Sequence, residues 1–231
     1  MMPTIQRPQR LPKPAVLPGT DEIHLWQTDL DERPANAELS SGTLLPSEQG
    51  RARRFVFEEH RWRCLAARTW LRSVLGACLN LPPRAVPLSA NAHGKPCIAA
   101  EANRAGLQFN LSRCGHLAPL AVTAGREIGV DLQSVLPDTA WPAIAERFCT
   151  PDEREHVRTL PSETRAQAFA EIWTRKEAAG KAAGEGLTSR IFSIAVGPAS
   201  WGTVDCGGGL SVWSLPAQDR FAAAIAVRGP A

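Results

Sequence analysis

The sequence predicts an α+β protein, in which long helices and short strands occupy separate stretches of the chain. Residues 59–79 carry apolar side chains at helical spacing, and residues 162–181 form an alanine-rich helical segment that ends before Gly184. Residues 127–133 instead alternate between apolar and other side chains, as half-buried strands do, and the apolar residues 221–227 are predicted as a further strand. These two periodicities, repeated along the chain, define the predicted class.

The remaining elements follow from the same rules. Further strands are predicted where apolar residues alternate between turn residues, at residues 22–27, 107–112, 117–122, 191–196, 201–204 and 210–215. Further helices are predicted at residues 46–57, at residues 141–148 and from residue 151 onward. The last strands of the chain are expected to pair antiparallel.

The composition is that of an ordinary globular protein of 231 residues, with 21% charged and 44% hydrophobic residues. The formal charge of +3 is too small to indicate nucleic-acid binding. No apolar run is long enough for a membrane span, and residues 1–20 lack a signal-peptide core. We expect residues 1–20 to be a disordered or extended tail, and the six widely spaced cysteines to be reduced thiols of a cytoplasmic protein.

Residues 173–187 place charged groups in an otherwise small, alanine-rich helix. Trp173, Glu177 and Lys181 fall at i, i+4 and i+8, so they line one helix face, with Lys176 one position further round. An acid and a base therefore share a stripe beside a large aromatic ring. The simplest interpretation is an exposed Glu–Lys pair that contributes a few tenths of a kcal/mol and no chemistry.

The strand at residues 127–133 suggests a second interpretation of the charged residues on that helix. Asp131 and Gln133 share one strand face with Gly129, opposite an apolar face. A carboxylate is a poor strand former and needs water, a cation or a hydrogen-bond donor to be tolerated there. Beside a helix that carries Glu177, Asp131 could complete a site for a hard divalent ion.

These residues resemble the signature pair of the 4′-phosphopantetheinyl transferases, in particular the larger, monomeric, surfactin-synthetase-activating type. The signal is specific because five short motifs occur in the family's order between about Arg51 and Leu187. The motifs are Gly94-Lys95-Pro96, Phe109-Asn110-Leu111-Ser112, Gly129-Val130-Asp131, Arg147-Phe148-x-x-x-Asp152-Glu153, and Trp173-x-x-Lys176-Glu177-Ala178-x-x-Lys181.

The resemblance implies two similar α+β halves related by a pseudo-two-fold axis, with the active site between them. We place the boundary near Gly125, which gives an N-terminal half at residues 21–125 and a C-terminal half at residues 126–231. The implied reaction transfers 4′-phosphopantetheine from coenzyme A to a serine hydroxyl of an apo acyl or peptidyl carrier protein. It depends on Mg²⁺ and releases 3′,5′-adenosine bisphosphate. The implied enzyme is a monomer that acts on neither nucleic acid nor membrane.

The resemblance also assigns residues around the metal and the reacting groups. Asp131, Gln133 and Glu177 are the implied metal ligands. Glu177 and Lys181 are the implied catalytic residues, with Lys176 and Glu153 as supporting groups. Either Glu177 or a nearby water would accept the serine proton.

Coenzyme A itself is assigned to the N-terminal half and to Lys181. By position, Arg51 and Arg63 are candidates for binding the 3′-phosphate. Lys95 lies in the loop that holds the adenine nucleotide in the family, and Ser112 and Arg113 lie where the diphosphate is bound.

Two positions depart from the family's pattern. Arg113 replaces the histidine that usually follows the serine, and Gln133 stands where many relatives have glutamate, so one negative charge is missing. Two alternatives remain open at this point: a catalytically weakened coenzyme A or carrier-binding paralogue, and an arginine-rich nucleic-acid binder. The acidic and basic residues of the signature, which are intact, favour the enzyme.

Overall fold

The computed structural model of this chain has four layers, in the order helix, sheet, sheet, helix. It describes residues 4–6, 17–32, 42–137, 140–186, 188–198, 202–218 and 220–229. Helices and mainly antiparallel strands occupy separate parts of the chain, so the predicted α+β class is confirmed.

The elements are named in chain order. The helices are α1 Pro46–Ala52, α2 Glu58–Leu79, α3 Trp141–Phe148, α4 Pro151–Thr159, α5 Ser162–Ala183 and α6 Ser189–Ser193, with short 3₁₀ turns at Pro83–Ala85 and Ala100–Ala102. The strands are β1 Thr4–Gln6, β2 Glu22–Asp29, β3 Leu88–Ala90, β4 Pro96–Ile98, β5 Leu107–Leu111, β6 Leu117–Ala124, β7 Glu127–Ser134, β8 Val204–Asp205, β9 Leu210–Leu215 and β10 Phe221–Arg228.

The first sheet has the strand order β1-β2-β6-β5, with β1 parallel to β2 and the other pairs antiparallel. Helix α2 covers its outer face, where Leu71 and Leu75 pack with Phe109 and Leu120. The helix has 22 residues and is followed by Asn80, whose φ of 54° is the left-handed conformation that terminates many helices.

The second sheet has the order β7-β10-β9-β8, and its outer face is covered by α5. Ala224 and Ala226 of β10 face Ala178 and Ala182 of the helix. Because both surfaces are built from small side chains, the helix axis lies close to the sheet. This helix also has 22 residues, and Gly184 ends it at a φ of 72°.

The inner faces of the two sheets pack against each other. Ile23 and Leu117 of the first sheet share one buried cluster with Ile128, Val130 and Trp213 of the second. The chain crosses from one sheet to the other between β6 and β7, at the turn where we place the domain boundary. Strands β5 and β7, each an edge strand of its own sheet, are thereby brought side by side.

The predicted N-terminal tail is described only in part. Of the predicted tail, Thr4–Gln6 forms strand β1 beside β2, and residues 1–3 and 7–16 lie outside the described residues. Leu187 and Trp201, which belong to other predicted segments, also lie outside the described residues. No helix among the described residues is both long and apolar enough to cross a bilayer.

The strand predicted at residues 191–196 is wrong, because that segment contains the end of α6, Ser189–Ser193. The ring of Phe192 packs on Phe148, with 4.4 Å between centroids. The carbonyl oxygens of Phe192 and Ile194 accept hydrogen bonds from a buried lysine rather than from a neighbouring strand. These tertiary contacts override the local β propensity.

Candidate functional site

Strand β7 and helix α5 approach each other closely at Gly129. A Cβ at this position would collide with the carbonyl oxygen of Ala178 and would lie 2.9 Å from the Cβ of Lys181. Only glycine fits this spacing. The close approach brings the next residue on the same strand face, Asp131, to the helix turns that carry Glu177 and Lys181.

Asp131 is 1% exposed and lies at the centre of a small polar cluster. Its Oδ1 accepts hydrogen bonds from the Ser112 hydroxyl at 2.9 Å and from the Lys181 ammonium at 2.5 Å. Its Oδ2 is buried and has no hydrogen-bond partner among the residues that the structure describes. A buried carboxylate oxygen without a donor is costly, so this atom marks a place that an external group can complete.

The Glu177 carboxylate is half-buried one helix turn before Lys181. Burial and the neighbouring Asp131 raise the pKa of Glu177 to about 7, against the opposing effect of Lys181. No hydrogen bond from the described part of the chain reaches this carboxylate. Two acidic groups therefore share one positively charged partner, and one of them titrates near neutral pH.

This donor set fits a hard divalent cation. The unpartnered Asp131 Oδ2 and the Glu177 carboxylate supply charged oxygens, and Gln133 adds an amide on the Asp131 side of β7. Within the described ranges, no group of three His, Cys, Asp or Glu side chains forms a complete metal centre. A cation held here would therefore take its other ligands from substrate and water, as Mg²⁺ commonly does.

A buried asparagine aligns the two edge strands, and the sequence analysis gave it no role. The Asn110 side-chain oxygen on β5 accepts the Val130 N–H of β7 at 2.8 Å. This contact satisfies an edge-strand donor and fixes the position of β7 next to Ser112. Asn110 is 6% exposed, but the sequence carries no signal of this, because Leu107-Gln108-Phe109-Asn110-Leu111 places it where a half-buried strand has a polar side chain.

A cavity of about 370 Å³ borders the cluster, between α1, α2 and β5. Leu111 and Arg113, the chain neighbours of Ser112, both line it. Its apolar wall includes Leu71 and Phe109. The cavity therefore combines an apolar wall with basic side chains next to the carboxylate pair.

The arginines around this cavity differ in their partners. Arg68 and the buried Arg72 both donate to the Glu48 carboxylate. Burial alone would raise the pKa of Glu48, but hydrogen bonds from Arg72, the Leu45 N–H and Arg68 hold it below its usual value. Arg51 and Arg113 also line the cavity, and neither forms an ion pair within the described residues. These two guanidiniums are the ones available to an anionic ligand.

Lys176, predicted as a catalytic supporting group, is not brought to the cluster. Its ammonium is fully buried, lies 2.9 Å from Glu153, and donates to the Phe192 and Ile194 carbonyls at 3.1 and 2.7 Å. Glu153 is equally buried. Its Oε2 faces the Lys176 ammonium, and its Oε1 accepts a hydrogen bond from the Val196 N–H. Because successive helix residues point about 100° apart, Lys176 faces the core while Glu177 faces the cluster.

Arg63 and Lys95, predicted to bind the coenzyme, both have protein partners in the structure. Arg63 forms ion pairs with Asp31 and Glu59, and it does not line the cavity. The Lys95 ammonium lies 2.8 Å from Glu127. It also donates to a carbonyl of β7 at 3.1 Å, so it ties the β3–β4 hairpin to the second sheet.

Two family models match most of the chain. The 4′-phosphopantetheinyl transferase superfamily model matches residues 127–226, and the model of the N-terminal part of 4′-phosphopantetheinyl transferases matches residues 32–125.

Three relatives extend this finding. The chain is 38% identical to the 4′-phosphopantetheinyl transferase HetI of Nostoc, over 95% of this chain and 93% of the relative. It is 29% identical to a 4′-phosphopantetheinyl transferase of Bacillus subtilis, over 71% and 72% of the two chains. It is 30% identical to human L-aminoadipate-semialdehyde dehydrogenase-phosphopantetheinyl transferase, over 67% of this chain and 53% of that one.

The similarity corrects one detail of the sequence-based expectation, because it supports a HetI-like protein rather than the surfactin-synthetase-activating type specifically. Both halves of the chain are matched by models of one family, in the order that the motifs predicted. The chain belongs to the 4′-phosphopantetheinyl transferase superfamily.

Proposed function

We propose that the protein transfers the 4′-phosphopantetheine group from coenzyme A to a serine hydroxyl of an apo carrier protein, with a divalent cation bound at Asp131 and Glu177. The observation that supports this most strongly is the buried Asp131 Oδ2, which has no hydrogen-bond partner in the described part of the chain, beside the Glu177 carboxylate, whose pKa burial and Asp131 raise. Phosphoryl transfer from a diphosphate requires positioning and charge neutralisation more than covalent catalysis.

The cavity between α1, α2 and β5 suits the nucleotide end of coenzyme A. Its apolar wall offers a surface for an adenine ring, and Arg51 and Arg113 can pair with phosphates. Ser112 follows directly on this wall, so a diphosphate that extends from the cavity reaches Lys181 and the carboxylates. In this arrangement Arg113 takes the place of the family's usual histidine and keeps its positive charge at any physiological pH.

The transfer is a nucleophilic displacement at phosphorus. The acceptor serine oxygen forms a bond to the β-phosphorus, and the bond between that phosphorus and the oxygen bridging to the α-phosphate breaks. 3′,5′-Adenosine bisphosphate leaves, and the serine proton passes to Glu177, directly or through water. Without a bound cation the pKa of Glu177 is raised to about 7; a cation at its carboxylate would lower this pKa and keep the group ionised and able to accept a proton.

The side chains around the diphosphate have separate tasks. Lys181 would hold a phosphate oxygen and stabilise the charge that develops on the leaving group. A bound divalent cation would supply further charge neutralisation between the two phosphates. Asp131 would hold that cation, and Ser112 keeps the Asp131 carboxylate oriented through its 2.9 Å hydrogen bond.

An exposed apolar ridge favours a protein acceptor over a small molecule. Phe55, Val56 and Phe57 are 37%, 85% and 69% exposed, in consecutive positions between α1 and α2. Contiguous exposed apolar groups of this kind mark contact sites for other macromolecules. Arg51 and Arg54 flank the ridge on a shallow groove, which suits an acidic partner surface next to the coenzyme cavity.

A cytoplasmic location is part of the proposal. All six cysteines are unpaired thiols in the structure, and burial raises the pKa of Cys78, Cys149 and Cys206 to about 11, 12 and 11. Unpaired cysteines are typical of a reducing compartment.

The alternative is a paralogue that binds coenzyme A or carrier without transferring the group. The complete set of Asp131, Glu177 and Lys181 in one cluster favours the enzyme, because a binding protein does not need a carboxylate pair beside the diphosphate. To test the proposal, the protein is incubated with apo carrier protein, coenzyme A and Mg²⁺, and the intact carrier mass is measured. The mass should rise by one phosphopantetheine, and should not rise when a chelator replaces Mg²⁺. Binding without a mass change would favour the paralogue.

A further inference from the structure

Three protein acceptors surround the ammonium of Lys181. Its three acceptors are Asp131 Oδ1 at 2.5 Å, Ser112 Oγ at 3.1 Å and the Val130 carbonyl oxygen at 3.2 Å. A lysine has three donors and no acceptor, so this set saturates it. Lys181 in this position can therefore offer nothing to a phosphate without giving up one of these contacts.

The same ammonium neutralises the carboxylate that a divalent cation would need. Asp131 and Glu177 carry two negative charges when both are ionised, and Lys181 offsets one of them. A cation that enters at Asp131 Oδ2 also meets the positive charge on the other oxygen of the same carboxylate. At a spacing of a few ångströms this repulsion is large even at an effective dielectric constant of about 20.

We propose that Lys181 is an internal counter-ion of Asp131 that opposes divalent-cation binding until the diphosphate of coenzyme A draws its ammonium away. The diphosphate offers charged oxygens that replace the three protein acceptors. Once Lys181 has turned toward the phosphate, Asp131 keeps only the hydrogen bond from Ser112 to its Oδ1, so the negative charge of the carboxylate is available to a cation. Metal and coenzyme A therefore bind with positive coupling, and by linkage each raises the affinity of the other by the same factor.

This inference rests on the proposed function for its diphosphate, but its first part concerns only the protein. Removing the ammonium should strengthen metal binding in the absence of coenzyme A, although the same change weakens binding of the diphosphate. A lysine whose only task was to hold substrate would leave metal binding to the free protein unchanged. The metal affinity of the ligand-free protein therefore separates the two roles.

The experiment is calorimetric titration of Mn²⁺ into the wild-type protein and into Lys181→Met, each with and without coenzyme A. Carrier protein is left out, so no transfer occurs. Arg158→Met is the matched control, since it also removes one positive charge, from a surface pair with Glu146 on α4 and α3. If Lys181→Met does not fold, as judged by circular dichroism, Lys181→Gln replaces it.

Without coenzyme A, Lys181→Met should bind Mn²⁺ at least about tenfold more tightly than the wild type. Coenzyme A should raise the Mn²⁺ affinity of the wild type by a larger factor than that of the variant. Arg158→Met should match the wild type throughout. A gain of less than tenfold in ligand-free Lys181→Met, or an equal gain in Arg158→Met, overturns the counter-ion proposal.

The outcome also separates this inference from the proposed function. If Lys181→Met binds Mn²⁺ more tightly but coenzyme A changes Mn²⁺ affinity in neither protein, Lys181 is a counter-ion and coenzyme A is the wrong donor. If coenzyme A raises the Mn²⁺ affinity of both proteins equally, the donor stands and the counter-ion proposal falls.

Discussion

Two ion pairs lie on different faces of helix α5, and they differ in how completely they are satisfied. Lys176 and Glu153 are both fully buried, and every donor and acceptor that they present has a partner in the protein. The pair of Lys181 and Asp131 is incomplete, because one buried carboxylate oxygen has no donor and the adjacent Glu177 has no hydrogen bond within the described residues.

The two pairs therefore separate charges that stabilise the fold from charges that are available for chemistry. A satisfied buried pair holds elements together: here it joins α5 to the start of α4 and to the segment after α6. An unsatisfied pair leaves energy to be gained from a ligand. The sequence motif places Lys176, Glu177 and Lys181 within two helix turns, yet only the last two belong to the open cluster.

The largest expected effect concerns the closed pair. Lys176→Met leaves Glu153 buried without its positive partner, and we expect a loss of about 3–5 kcal/mol in the free energy of unfolding. Urea titration measures it. Arg158→Met, which breaks an exposed pair with Glu146, should cost at most about 1 kcal/mol. Equal stability of Lys176→Met and the wild type would remove the structural role.

The next effect concerns turnover at the open cluster. Glu177→Gln should lower the rate of carrier modification by about 100-fold or more, because the cation loses a charged ligand and the serine proton loses its acceptor. Intact-mass kinetics of the carrier measure the rate. Glu185→Gln, near the end of the same helix and paired with Arg190, should keep the wild-type rate. Equal rates in the two variants would favour the surface-pair interpretation.

A smaller effect is expected on the exposed ridge. Val56→Asp places a negative charge where we expect an acidic carrier, so the KM for apo carrier should rise by about tenfold while kcat changes little. Leu81→Asp, at another exposed apolar position after α2, is the control and should leave KM unchanged. An unchanged KM in Val56→Asp would mean that the carrier docks elsewhere.

Gln133 offers a way to strengthen the open cluster. Gln133→Glu adds a negative charge on the Asp131 side of β7, so half-maximal transfer should need a few-fold less Mg²⁺, while Asp131 remains indispensable. Metal titration of both proteins decides it. An unchanged midpoint would place residue 133 outside the direct ligands, and the protein would then supply only Asp131 and Glu177.

The smallest effect is a change of stability with pH in the metal-free protein. The pKa of Glu177 is raised in the folded state, so the folded protein binds this proton more tightly than the unfolded chain does. The resulting stability is fully present below the usual glutamate pKa and is lost as pH rises through about 7. Relative to Glu177→Gln, the wild type should therefore lose stability between about pH 5 and 8 in chelator. Parallel pH profiles would show that the residue does not titrate in this range.

The elements of the site followed from local periodicity, but the partners of several charges did not. The strand around Asp131 and the helix around Glu177 were both predictable from the spacing of apolar residues. Nothing in the sequence places Arg63 against Asp31 or Lys95 against Glu127, since each pair is separated by 32 residues. Lys176 lies away from the cluster, because neighbouring helix residues share a motif while facing different surroundings.

The strand predicted at residues 191–196 failed for a related reason. Its carbonyls are bonded to Lys176 and one of its amides to Glu153, so long-range contacts decide the conformation of α6 and the residues after it. By contrast, the structure gives a physical reason for the glycine of the motif, because β7 and α5 approach too closely at Gly129 for any side chain. The sequence motif names the candidate residues, and the packing determines which of them lie in the polar cluster and which lie in the core.

One matched pair of variants tests the central claim most directly. Asp131→Asn and Glu153→Gln each turn a buried carboxylate that is paired with a lysine of α5 into an amide of the same shape. Carrier modification per folded molecule is measured for both, with coenzyme A and Mg²⁺. We expect Asp131→Asn to be folded and nearly inactive, whereas Glu153→Gln should be less stable and keep the wild-type rate per folded molecule. Full activity in Asp131→Asn would show that this carboxylate does not take part in the reaction.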